Sequence, residues 1–208
     1  MRKIILLTGL FTANLLHAQV AIKSDKDPLW KTLYRPEATK INDLVHTKLD
    51  ARFDYSKSHL NGKVWITVKP HFYSTDSLLL DAKGMDIHEV AIMSNGKKTP
   101  LKYTYDGLYL NITLNRLYKN TENYTVYIDY TAKPDEFESK GSAAITDAKG
   151  LYFINPKGED KSKPTQIWTQ GETEETSVWI PTIDRPNQKC TQKFLLTVPS
   201  KYVTLSKP

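Results

Sequence analysis

Residues 45–55 alternate strictly, with Val45, Thr47, Leu49, Ala51, Phe53 and Tyr55 on one side and His46, Lys48, Asp50, Arg52 and Asp54 on the other. Successive side chains of an extended chain point to opposite faces, so a period of two predicts a strand with one face in a core and the other in water. A helix would scatter both sets around its circumference. Val64, Ile66, Val68 and Phe72 repeat the pattern after Asn61-Gly62, a pair that readily adopts positive φ. They predict a second strand, paired antiparallel with the first through a longer loop.

The rhythm continues along the chain. Short strands are predicted over residues 78–80, 87–93 (ahead of Asn95-Gly96), 101–105, 108–114 and 124–130, the last with Tyr124, Val126, Ile128 and Tyr130 alternating. From residue 131 to 165 Lys, Asp, Glu, Gly, Ser and Pro dominate, and the apolar run Leu151-Tyr152-Phe153-Ile154 marks one strand between two loops. Phe194, Leu196 and Val198 alternate with Leu195 and Thr197 in a late strand that closes at Pro199. The expected fold is all-β, an antiparallel sandwich or saddle-like sheet domain over residues 41–208.

The first 18 residues follow a different logic. Arg2 and Lys3 form a basic start, residues 4–16 an apolar run, and Leu16-His17-Ala18 a cleavage-like end, the pattern of a signal peptide. The run is too short to span a bilayer as a mature helix, so no transmembrane segment is expected in the mature chain. The expected location is periplasmic, secreted or cell-surface. Residues 19–40 carry Pro28, Pro36 and mixed charge without a period, and read as an N-terminal extension that Trp30 and Tyr34 pin to the domain.

Without Arg2 and Lys3 the formal charge falls from +6 to +4, and the lysines are scattered instead of striped, so no nucleic-acid partner is expected. Cys190 is the only cysteine, which excludes an internal disulfide and leaves stability to packing. It reads as a small strand residue, because nothing near it in sequence would activate a thiol.

Signs of chemistry are sparse. His88-Glu89 opens the pattern of a zinc-binding helix, but the position of the second histidine is Ile92 and the surrounding alternation is that of a strand. There is no Gly-x-Ser-x-Gly elbow and no glycine-rich phosphate loop. The triplets Asn111-Ile-Thr and Asn123-Tyr-Thr match glycosylation acceptors and are assigned no role. Glu172, Glu174 and Glu175, with Asp184 further on, form an acidic run. Such a run is either a solvated loop or a source of paired carboxylates for glycoside hydrolysis. Trp65, Tyr103 and Tyr105 suggest another alternative, the aromatic platform of a standalone β-sandwich module binding carbohydrate or a surface.

One segment is more specific. Trp168-Thr169-Gln170-Gly171-Glu172, then Trp179-Ile180-Pro181, Asp184-Arg185-Pro186, Lys189, and Phe194 to Pro199 occur in that order. The series resembles the N-terminal β domain of the aminopeptidase N and leukotriene hydrolase family of zinc metallopeptidases. The resemblance implies an exported zinc aminopeptidase as parent, acting on peptide N-termini. It implies Gln170 as a lining residue of the pocket for the first substrate side chain, and Glu172 as the binder of the substrate's free α-amine. A fixed carboxylate offers an ammonium a charge-assisted hydrogen bond and so selects chain ends. Trp179, Pro181, Asp184, Pro186 and Lys189 are expected to be scaffold. The family's Gly-x-Met-Glu-Asn strand, His-Glu-x-x-His helix and downstream Glu ligand do not occur in these residues. The zinc is therefore expected in a missing catalytic domain, no metal ligands or catalytic residues are assigned here, and the β domain is expected to be incomplete at its C-terminal end.

Overall fold

A computed structural model describes residues 39–138 and 148–206. The expected leader (1–18) and all but the last two residues of the expected extension (19–40) lie outside the described residues. The strands are β1 (Asn42–Asp54), β2 (His59–Pro70), β3 (Thr75–Asp81), β4 (Met85–Ser94), β5 (Lys97–Pro100), β6 (Lys102–Tyr105), β7 (Tyr109–Tyr118), β8 (Tyr124–Ala132), β9 (Leu151–Ile154), β10 (Gln166–Thr169) and β11 (Thr191–Thr197). A 3-10 turn covers Thr176–Val178. The fold is all-β, as the alternation predicts.

Three sheets form. The largest has the order β11-β1-β2-β8-β4-β5; β3-β7-β6 and β10-β9 make the other two. All pairs are antiparallel except β1 with β11, which is parallel. The inward residues of β2 and β8 (Val64, Ile66, Val68; Val126, Ile128, Tyr130) and those of β3 and β7 (Leu78, Leu80; Leu110, Ile112) belong to one buried cluster. The core is thus shared by the large sheet and the three-stranded one, and Leu151, Phe153 and Ile180 close it at the end where β9 lies. Burying these side chains is the main driving force for the fold, worth about 1.5–3 kcal/mol for each large aliphatic residue.

The structure corrects the sequence reading at several places. Strand β1 begins at Asn42, because a bulge at Val45 shifts the register between Leu44 and His46. Leu44, Thr47, Leu49 and Ala51 are the buried set, while Val45 is only half-buried. Asn61-Gly62 is not a turn but lies inside β2, opposite Arg52 and Ala51. The actual turn is built at Asp54, whose carboxylate accepts hydrogen bonds from the Ser56 and Lys57 backbone and the Ser56 hydroxyl. Tyr55 enters that turn and stacks on Tyr202 with ring centres 5.5 Å apart. Phe72 follows β2 in a loop and is exposed. Asn95-Gly96 is a true hairpin turn with both residues at positive φ.

Gly62 has a packing role. A Cβ at this position would lie 2.4 Å from Cζ of Tyr130, whose ring is fully buried and has no room to retreat. The glycine lets the ring lie directly on the β2 backbone. Gly62→Ala should therefore cost about 1–3 kcal/mol through overpacking, read as a lower urea midpoint at unchanged slope; a midpoint equal to wild type would refute this role.

Candidate functional site

The segment carrying Gln170 and Glu172 starts from a hairpin. In β9–β10, Trp168 pairs with Tyr152 and the two rings stack 4.5 Å apart at 14°. The Gln170 amide then donates to Gly150 O at 2.9 Å. Gly150 has φ +68°, and a Cβ there would meet the Glu175 carbonyl at 1.9 Å, so only glycine lets the two backbones pass this closely. Glu175 N donates to Gly171 O at 3.1 Å, closing a tight turn over residues 171–175. The Glu172–Thr173 peptide within it is cis.

Behind the turn lies a network of directional bonds. Tyr130 Oη donates to Trp179 O at 2.8 Å. Asp81 and Thr182 exchange two backbone hydrogen bonds. Asp184 Oδ2 accepts the Ser177 amide at 2.8 Å, and the Asp184 amide donates to Asp81 Oδ2 at 2.9 Å. Burial pushes the Asp184 carboxyl above the usual carboxylate range, opposed by the hydrogen bond from Ser177 and by the Lys83 charge. Trp179 and Pro181 are packed into the domain, and Asp184 is bonded to it; Pro186 and Lys189 are exposed.

The three glutamates differ in their surroundings. Glu174 Oε1 accepts a hydrogen bond from Arg185 Nη1. Glu175 is largely buried, with Oε2 3.7 Å from Lys83 Nζ. Glu172 is exposed and has neither an ion pair nor a side-chain hydrogen bond among the described residues. Gln170 is exposed on the same loop, its backbone fixed and its side chain turned to solvent. Of the acidic run, one carboxylate is therefore left available to an incoming group.

Other candidates separate. Trp65 lies in the large sheet, while Tyr103 and Tyr105 lie in the three-stranded one. Tyr105 Oη is occupied, donating to Ala82 O and accepting from Met85 N, both at 2.8 Å. The three do not make one aromatic platform. His88 is exposed on β4 and bonds Thr131 at 2.9 Å, and Ile92 is buried in the core, as a strand requires. Cys190 is a free, half-buried thiol just before β11. The sequence reading missed Lys83, Arg185 and Asp81, each 11 to 103 positions from the residue it holds, and no local pattern marks such partners.

Among the described residues no group of three or more His, Cys, Asp or Glu is placed to hold a metal. The residues here do not fit a zinc site.

The fold is similar to that of a two-domain M1 zinc metallopeptidase variant bound to L-arginine (TM-score 0.63, 20% identity, 78% of this chain and 34% of that chain). It is also similar to an M1 zinc metallopeptidase from Deinococcus radiodurans (0.58, 19%, 74% and 31%) and to leukotriene A4 hydrolase from Saccharomyces cerevisiae (0.57, 21%, 83% and 28%). The fold is thus one that occurs in zinc metallopeptidases, and the chain spans about a third or less of each of these structures. A model of the peptidase M1 N-terminal domain matches residues 43–207, and the chain belongs to that family.

The Asp184 bond gives a direct test of the scaffold. Asp184→Ala leaves the Ser177 amide without its acceptor and should cost about 1–3 kcal/mol, whereas Asp184→Asn keeps an acceptor oxygen and should cost much less. Because folding raises this carboxyl's pKa, wild type loses stability as pH rises through the folded value, and Asp184→Asn does not. Urea midpoints from pH 3 to 8 should show the Asn variant gaining on wild type toward neutrality. A constant difference across that range would contradict the raised pKa.

Proposed function

We propose that this domain supplies the amine-recognition element of an exported zinc aminopeptidase, with Glu172 receiving the α-ammonium of a peptide N-terminus and Gln170 lining the pocket for the first side chain. The observation that carries the reading is the selective pairing of the acidic run: Glu174 and Glu175 are engaged by Arg185 and Lys83, and Glu172 is not. An ammonium on Glu172 would gain a charge-assisted hydrogen bond without having to displace an internal cation. Membership of the M1 N-terminal family and similarity to zinc peptidases support the setting, and peptide hydrolysis itself is assigned to a catalytic domain beyond these residues. Export rests on the leader pattern of residues 1–18. No helix among the described residues is long and apolar enough to cross a membrane.

In the whole protein carrying this domain, Glu172→Gln should lower kcat/KM for aminoacyl substrates about 10- to 100-fold, the value of a hydrogen bond to a charged group. Glu174→Gln should leave the preference for a free amine intact. Binding should weaken above about pH 8, where a peptide α-amine loses its proton. If Glu172→Gln cleaved amine-bearing and amine-blocked substrates with wild-type preference, the assignment would be wrong.

A further inference from the structure

We infer that Lys83 is the positioning residue of this site: its ammonium fixes the turn from which Glu172 projects. The inference rests on the amine-binding role of Glu172 proposed above.

Glu172 makes no side-chain hydrogen bond or ion pair among the described residues, so the location of its carboxylate depends mainly on the backbone of residues 171–175. That turn is closed by one internal bond, Glu175 N to Gly171 O. Five residues with one closing bond would sample several conformations, unless something outside holds them. Lys83 does so twice. Its Nζ donates to the Glu174 carbonyl, and its backbone N donates to Ser177 O at 2.8 Å. The same ammonium lies 3.7 Å from the Glu175 carboxylate. One residue thus reaches a carbonyl, a carboxylate and the middle of the following 3-10 turn.

A grip positions only if the hand is fixed, and the Lys83 backbone is held on both sides. Ala82 N donates to Leu108 O and Gly84 N to Gly107 O, both at 2.8 Å. The Tyr105 hydroxyl joins Ala82 O to Met85 N across the turn. Gly84 has φ +64°, and a Cβ there would lie 2.7 Å from the Phe137 ring, so this turn tolerates no larger residue. The Lys83 side chain is only 22% exposed, against 42% for Lys98 in its pair with Glu89. A sequestered ammonium is less screened than a surface one and holds its partners more firmly. Arg185 adds to the hold through Glu174, but it reaches the side chain, whereas Lys83 bonds the backbone two residues from Glu172.

The experiment uses the whole protein carrying the domain and measures kcat/KM for an aminoacyl substrate against its des-amino analogue. Glu172→Gln should collapse the preference for the amine. Lys83→Met should reduce that preference about tenfold, mostly through KM, and Lys83→Met placed on Glu172→Gln should reduce it no further. Lys83→Arg, which keeps a cation, should restore part of the preference; a residue that merely stabilises the fold would lower both substrates alike. If Lys83→Met fails to fold, Lys83→Met with Glu175→Gln removes the carboxylate left behind, and the same tenfold loss is expected. Should Glu172→Gln collapse the preference while folded Lys83 variants keep it, the positioning role is overturned and the amine site stands. Should Glu172→Gln itself keep the preference, the amine site falls and this inference with it.

Discussion

The Tyr130 side chain connects the core to the loop that carries the candidate site. Its ring lies on Gly62 in the middle of the large sheet, and its hydroxyl reaches the Trp179 carbonyl at the end of the 3-10 turn. Burial pushes the phenol well above the usual tyrosine range, so it remains a donor at any physiological pH. A carbonyl at the end of a 3-10 turn has no partner of its own, and a buried polar group left unmatched costs about 1–3 kcal/mol. The sheet and the loop therefore satisfy each other: the hydroxyl is one of several tethers that hold the loop over the core, and the carbonyl is the acceptor the buried phenol has.

The same device recurs around the loop. Asp81 at the end of β3 exchanges backbone bonds with Thr182 and accepts from Asp184. The Gln188 side chain accepts from Leu44 N at 2.8 Å and donates to Asn42 O at 3.2 Å, occupying the start of β1 before β11 begins at Thr191. Gln188 thus acts as a short surrogate strand opposite the β1 bulge. Strand β11 then runs along β1 and lies at the margin of the large sheet, where Leu195 is exposed. Segment 170–190 is held at β1, β3, β8 and the β3–β4 turn, and it behaves as part of the scaffold despite having almost no regular structure.

Period-two alternation is a property of neighbouring residues, and it was enough to read most strands and the all-β class from the sequence. It failed where the physics was not local. The bulge at Val45 inserts one residue and inverts the phase, so Asn42–Leu44 could not be recognised as strand. Asn61-Gly62 has turn chemistry, but the glycine is there for the Tyr130 ring, 68 residues away in sequence. Strand β10 is four residues long with little burial, and it exists because β9 offers an edge and Tyr152 a stacking partner. For the candidate site, the order of Gln170, Glu172, Trp179 and Asp184 singles out the segment on which the proposal rests. That Glu174 and Glu175 face cations was not legible, because Arg185 and Lys83 are brought to them by the folded chain.

The selective pairing also sets how strong the site can be. An exposed carboxylate in water gains only about 0–1 kcal/mol from an ammonium, a factor of five or so, because solvent screens the pair and both ions are already hydrated. Glu172 as it stands in this domain would thus hold a peptide amine only weakly. The 10- to 100-fold effect expected of a charged hydrogen bond requires lower dielectric around the carboxylate, and nothing among the described residues covers it. If Glu172 binds an amine as proposed, a second surface would have to cover the turn to exclude water. For such closure to favour binding, the carboxylate must already stand where the covering surface leaves room for an amine, since repositioning it during binding would cost ordering entropy. A turn held from behind by Lys83, Arg185 and Asp184, with one unpaired carboxylate in front, meets that requirement before any partner arrives.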